Sequence, residues 1–216
     1  MYERLALDVS HCHVEDNELL GRGEFGVVAL ARFCAPAHHP GWGRLRQLEG
    51  DDLEASPQVA VKTLINMDQG DANYRSALPQ LLLEARLLSV MDHPHVVRVF
   101  GVNEVRLPVQ IVMEYCRLGN VRDFLRRQAR SDKATPCVAS LADMASQAAS
   151  GIEYLHSKLC IHRDLAARNL LLSPDHTGSS FQSGVVVKLG DLGLARLLRT
   201  EADYYRVREC VCVWGG

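Results

Sequence analysis

The chain has 216 residues, with 24 Lys and Arg against 26 Asp and Glu, giving a formal net charge of −2. That balance argues against a broad basic face for nucleic acid or anionic lipid, and 47% hydrophobic with 23% charged residues excludes global disorder. No apolar run approaches about 18 residues, so no membrane-spanning helix is expected, the first residues lack a secretory signal pattern, and seven Cys without framework spacing read as reduced thiols.

In chain order, Val27 to Arg32 and Val59 to Thr63 are β-rich runs bounded by Gly or Pro, and both read as strands. Cys34 to Pro57 lies between them and carries Pro, Gly and an acidic patch, so it reads as a loop insertion. Leu81 to Met91 is Leu-rich without Pro or Gly and predicts a helix. Val96 to Val102 and Val109 to Tyr115 predict two further strands. Ser131 to Pro136 is a polar connector. Leu141, Met144, Ala145, Ala148, Ile152 and Leu155 recur at helical spacing, which predicts a helix to about His156 with Ser140 as its N-cap. Leu170 to Leu172 and Val185 to Leu189 are short strands around a Ser/Gly-rich loop, Ser173 to Gly184. Strands with one helix, followed by helices with short strands, predict an α+β protein in two lobes.

Four segments carry chemistry. Gly21-Arg22-Gly23-Glu24-Phe25-Gly26 leads into Val27-Val28, so a strand follows the glycines. That favours a hairpin over phosphates, where Gly lets the backbone approach an anion closely. Lys62 stands within the apolar run Val59-Ala60-Val61, where an unpaired ammonium is costly. Glu84 on the next helix is an available partner. His162-Arg163-Asp164-Leu165-Ala166-Ala167-Arg168-Asn169 spaces a carboxylate and an amide so that one serves an attacking hydroxyl and the other Mg²⁺. Gly190-Asp191-Leu192-Gly193 follows a strand and offers a second hard oxygen ligand. His11-Cys12-His13 and Cys210-Val211-Cys212 lack a complementary pair at zinc spacing, so no zinc site is expected.

With these four motifs in this order, the chain from about Leu19 to Arg206 resembles the eukaryotic protein kinases. His-Arg-Asp-Leu-Ala-Ala-Arg-Asn, with Arg168 and no Lys two residues after Asp164, is similar to the tyrosine kinase form. The resemblance implies a two-lobed protein-kinase-like fold that uses ATP and Mg²⁺ to phosphorylate tyrosine in protein substrates. It implies that Gly21, Gly23 and Gly26 cover the phosphates, and that Lys62 holds them while pairing with Glu84. It makes Asp164 the catalytic base, with Arg168 beside it, and Asn169 and Asp191 the Mg²⁺ ligands. Ile111 to Cys116 resembles the interlobe hinge, with Met113 as gatekeeper and the backbone of Glu114 and Cys116 facing adenine. Val28, Ala60 and Leu171 would sandwich the ring. Asp203-Tyr204-Tyr205-Arg206 resembles the paired activation-loop tyrosines of the insulin-receptor, Ros and Trk classes, so Tyr204 and Tyr205 are expected phosphate acceptors, with Arg163 available to the added charge.

The resemblance divides the chain into an extension at 1–18, an N-lobe at 19–115, a partial C-lobe at 116–209 and a non-kinase tail at 210–216. The N-lobe is expected to be complete and the C-lobe incomplete, because the segments that follow the activation loop in the family are not matched here. The tail can be encoded by a TG repeat followed by a G run, and is expected to derive from outside the domain. An uncovered face on the Leu141 to Leu155 helix would favour aggregation or a chaperone partner. The alternative to an active kinase is therefore a nucleotide-binding or interaction fragment without turnover. The expected location is cytoplasmic, including the intracellular part of a membrane receptor. Leu192 stands where the family usually has Phe, leaving less apolar contact between the lobes.

Overall fold

In the computed structural model, which describes residues 12–22, 26–33, 58–64, 72–103, 109–130, 136–175 and 183–198, the β-branched runs pair into one antiparallel sheet. Its strands are β1 (Cys12–Arg22), β2 (Gly26–Phe33), β3 (Gln58–Leu64), β4 (Val99–Asn103) and β5 (Gln110–Glu114), in the order β1-β2-β3-β5-β4. β3 lies centrally and buries Val59, Ala60, Val61 and Leu64. Helix α1 (Ala72–Ser89) packs Ala77, Leu81, Ala85 and Leu88 into the core shared with Ile111 and Met113. Those positions recur every three or four residues and so share one helical face.

Helix α1 begins well before the expected Leu81, because it runs through Pro79. A proline inside a helix removes one backbone donor. Pro79 and Arg75 are both exposed, so the carbonyl left without its helical donor lies on the solvent side. The strand expected from Val96 starts only at Val99. The backbone before it is engaged elsewhere: Val97 N–H donates to Leu189 O at 2.9 Å, and Leu189 N–H donates to His95 O at 2.9 Å.

The second lobe starts with β6 (Gly119–Asn120) and α2 (Val121–Ala129). Helix α2 is only nine residues long and offers a single i, i+3, i+4 apolar set, Val121, Phe124 and Leu125, which packs against Leu172 and Val185. A second signal is at its start, where Asn120 accepts from Asp123 N–H at 2.9 Å and its amide donates to the Asp123 carboxylate at 2.8 Å. Helix α3 (Val138–Ser157) follows, and its cap is Cys137, not Ser140. Ser140 sits in the first turn and donates its N–H to Cys137 Sγ at 3.4 Å. Ser is a commoner capping residue than Cys, which draws the sequence reading to Ser140, and the exposed Val138 of the true first turn adds no core contact.

Beyond α3 come β7 (Cys160–Ile161), β8 (Leu170–Pro174), β9 (Val185–Leu189), a 3-10 turn at Leu192–Leu194 and β10 (Arg196–Leu197). β6, β8 and β9 form one small sheet, and β7 pairs with β10. Met144 and Ala148 of α3 pack with Val121, Leu172, Val185 and Val187, while Leu141 is half-exposed. Of the face expected to lack cover, Met144, Ala148 and Leu155 are buried and Ile152 is half-buried, while Leu141 and Ala145 are exposed. The lobes also meet through a buried ion pair, Lys188 Nζ to Glu114 Oε1 at 2.9 Å, with Lys188 also donating to Pro94 O at 3.0 Å. Gly23, Tyr204, Tyr205, His11, the insertion Cys34 to Pro57 and the tail from Cys210 lie outside the described residues.

Candidate functional site

A cleft of about 670 Å³ opens between the lobes, within the usual size range of small-molecule sites. Gly21, Gly26 and Val28 line it from the first hairpin, Ala60 and Lys62 from β3, and Glu84 from α1. Met113, Glu114 and Cys116 line the connection between lobes, and Asp164, Arg168, Asn169, Leu171 and Asp191 line the opposite wall. Every described residue singled out in the sequence for nucleotide or catalysis thus borders one cavity. Gly26 has a packing reason to be Gly, since a Cβ there would lie 2.7 Å from Thr63 O on β3.

Lys62 Nζ reaches Glu84 Oε1 at 2.8 Å and Oε2 at 2.7 Å, and Asp191 Oδ1 at 3.1 Å. The Lys62 side chain is 19% exposed and that of Glu84 4%. Burial works against both charges, pulling the Lys62 pKa down and pushing that of Glu84 up. For Lys62, the two carboxylates outweigh burial and its pKa stays raised. For Glu84, burial outweighs the ammonium, and the nearby Asp191 adds to the rise. The two shifts pull opposite ways on one ion pair. The bidentate geometry decides for the charged form, because both carboxylate oxygens accept from the same ammonium.

The opposite wall is built locally. Arg168 donates to Asp164 Oδ1 at 2.6 Å, and Asn169 Nδ2 donates to Asp164 Oδ2 and to its backbone O, both at 2.8 Å. The Asn169 hydrogen bond, with that of Arg168, holds the Asp164 carboxyl below the usual carboxylate range. His162 is buried; its Nδ1 accepts from Asp164 N–H at 3.3 Å, leaving Nε2 to donate to Gly190 O at 3.0 Å. That imidazole ties the loop carrying Asp164 to the turn carrying Asp191. Arg163 and Asp191 both hold positive φ, 66° and 56°, which is strained for residues with a Cβ.

The donor set suits Mg²⁺. Asn169 spends its amide hydrogens on Asp164, which leaves its oxygen to ligate. Asp191 is 55% exposed toward the cleft and supplies a hard carboxylate. Among the described residues no group of three or more His, Cys, Asp and Glu exists that could hold a metal ion. Two protein ligands completed by phosphate oxygens and water match the way Mg²⁺ is held beside nucleotides.

On the hinge side, the Glu114 carboxylate is committed to Lys188, and Glu114 N–H donates to Arg98 O at 2.9 Å. Burial pushes the Cys116 thiol up to about 12, so it is not a nucleophile. Lys188 was not singled out in the sequence; a Lys in the apolar run Val185 to Leu189 carries the same signal that marked Lys62. Gln80 was also missed, because the helix was expected to start after it. Its amide donates to Gly193 O at 2.6 Å. Its spacing of one helical turn from Glu84 was the available signal. A family model described as protein tyrosine and serine/threonine kinase matches residues 14–213.

Proposed function

Since this chain belongs to the protein tyrosine and serine/threonine kinase family, we propose that it acts on tyrosine, transferring the γ-phosphoryl group of ATP to a protein tyrosine hydroxyl. The observation that carries the reading is the Lys62–Glu84 pair closed onto Asp191, facing Asp164 and Asn169 across one cleft. Arg168, bonded to Asp164, supports the tyrosine form over the serine/threonine form.

In this reading, Lys62 holds the α- and β-phosphates, oriented by Glu84. Gly21, Gly23 and Gly26 let the hairpin backbone lie close over the phosphates. Val28, Ala60 and Leu171 enclose the adenine, and the backbone of Glu114 and Cys116 binds its edge. Asn169 and Asp191 hold Mg²⁺, which when bound neutralises phosphate charge and fixes the group to be transferred. Asp164 orients the tyrosine hydroxyl and takes its proton as the oxygen bonds to phosphorus and ADP leaves. A carboxyl with a depressed pKa is a weak proton acceptor. That is sufficient, because phosphoryl transfer depends mostly on positioning and electrostatics. Tyr204 and Tyr205 are the proposed regulatory acceptors. No described helix is long and apolar enough to cross a membrane, and we assign the activity to the cytoplasm, alone or as part of a receptor.

The test is an assay of the purified chain with Mg-ATP and matched peptides bearing Tyr or Ser. Phosphate is expected on Tyr alone, with Asp164→Asn reducing the rate by about 10²–10⁴-fold. Phosphopeptide mapping of the same reaction tests Tyr204 and Tyr205. Equal transfer to Ser would sink the tyrosine assignment. Nucleotide binding without turnover would favour a nucleotide-binding fragment.

A further inference from the structure

Helix α1 touches the Asp191 turn at two places, one helical turn apart. Glu84 reaches it through Lys62, which bonds Asp191 Oδ1 at 3.1 Å. Gln80 reaches it directly, donating from Nε2 to the carbonyl of Gly193 at 2.6 Å. Residues four apart on a helix project from the same face, so both groups are aimed by one rigid element. Gly193 lies in the gap between them. A Cβ there would stand 3.2 Å from Asp191 Oδ1 and 3.5 Å from Glu84 Oε2.

The turn needs holding. Asp191 is left-handed at φ 56° and ψ 67°, a conformation that persists only when its surroundings impose it. Its apolar anchor is Leu192, 1% exposed and packed in the cluster that includes Leu81, Ala85 and Leu88 of α1. Leu buries less surface than the Phe usual at this position, so the apolar anchor is weaker here. The Gln80 hydrogen bond supplies a second, directional hold on the same turn.

We propose that Gln80 is a positioning residue that clasps α1 to the Asp191-Leu192-Gly193 turn and so sets the cation-binding carboxylate together with the Lys62–Glu84 pair. The inference rests on the reading of Asp191 as a Mg²⁺ ligand. It concerns placement alone, since Gln80 donates to a backbone carbonyl and not to a reacting atom.

The test uses the purified chain, ADP as probe, and calorimetry with Mg²⁺ or with EDTA. Gln80→Met keeps the length without the donor, and Gln80→Glu sets a carboxylate against the Gly193 carbonyl. Both are expected to keep ADP affinity in EDTA and to lose about twofold to tenfold of the gain that Mg²⁺ confers, the range of one hydrogen bond. Amide exchange over residues 190–195, read without ligand, is expected to quicken by a similar factor while β8 is unchanged. Wild-type Mg²⁺ gain in both variants, or equal losses with and without Mg²⁺, would overturn the clasp. Asp191→Asn separates the two claims. If it abolishes the gain and the Gln80 variants do not, only the clasp falls. If the gain survives Asp191→Asn, the ligand assignment falls and the clasp with it.

Discussion

Lys62 and Glu84 are where a single substitution has the sharpest consequence. Lys62→Met leaves the 4% exposed Glu84 carboxylate without its ammonium. Breaking a buried pair from one side costs about 3–5 kcal/mol. The pH dependence has a definite sign. Burial already raises the Glu84 pKa, with Lys62 opposing the rise, so removing Lys62 raises it further. A folded state that holds the proton more tightly than the unfolded chain is penalised as pH rises through the ordinary carboxylate range. The variant is therefore expected to be weakest near neutral pH and to approach wild type in acid. Urea unfolding of both proteins across pH 4 to 8, roughly spanning that range, checks this; a deficit independent of pH would mean that Glu84 finds another partner.

At the scale of elements, α3 is set by one close approach. Gly to Ala inside a helix ordinarily stabilises by about 1 kcal/mol. At Gly151 the added Cβ would meet His95 O at 2.6 Å and Leu189 Cδ1 at 2.9 Å. The first of these is backbone and cannot rotate away. Overpacking costs about 1–3 kcal/mol, so Gly151→Ala is expected to destabilise despite its helix propensity. Urea unfolding measures it, and a variant as stable as wild type would show that α3 can slide off the His95 turn. The same turn carries the backbone bonds of His95 and Val97 to Leu189, so displacement there bears on β9 and, through it, on Asp191. Helix α1 teaches a related point. Pro79 reads locally as a boundary, yet the apolar face from Ala77 to Leu88 carries the helix through it. Tertiary burial outweighs the cost of one missing donor on an exposed face.

For the whole molecule, the cleft is lined by both lobes, so a ligand that bridges them should stabilise the folded chain as a unit. At a free concentration of 100 times its Kd, a ligand that binds only the folded state adds about 2.7 kcal/mol. Thermal unfolding with ADP is expected to shift upward, and further with Mg²⁺ than with EDTA. Asp191→Ala should erase the Mg²⁺ increment and keep the remainder. The absence of any increment in wild type would count against Asn169 and Asp191 as ligands. The buried Lys188–Glu114 pair joins the strand before Asp191 to the strand leading into the hinge, giving the lobes a polar link beside the apolar core.

What could be read from sequence was what is local in sequence. The Asp164 wall was legible because Arg168 and Asn169 reach Asp164 from four and five residues away, so motif spacing already encodes the contact. The strands β2, β3, β5 and β9 were legible because β-branched runs bounded by turn formers leave few alternatives. The family followed from four motifs in order. Helix α2 and the true starts of α1 and α3 were not read because each signal meets a stronger local one: α2 is only nine residues long, Pro79 reads as a boundary inside α1, and Ser140 is a commoner capping residue than Cys137. The sequence required an anion for Lys62 and pointed to Glu84, which the structure pairs with it. Tertiary structure decided that Asp191 would be a second partner, that Gln80 would close on Gly193 and that Lys188 would close on Glu114. Those partners are separated by long stretches of chain, and no local periodicity encodes them. They meet because the sheet, α1 and β9 bury their apolar faces together, and the polar groups carried into that core must pair where burial leaves them.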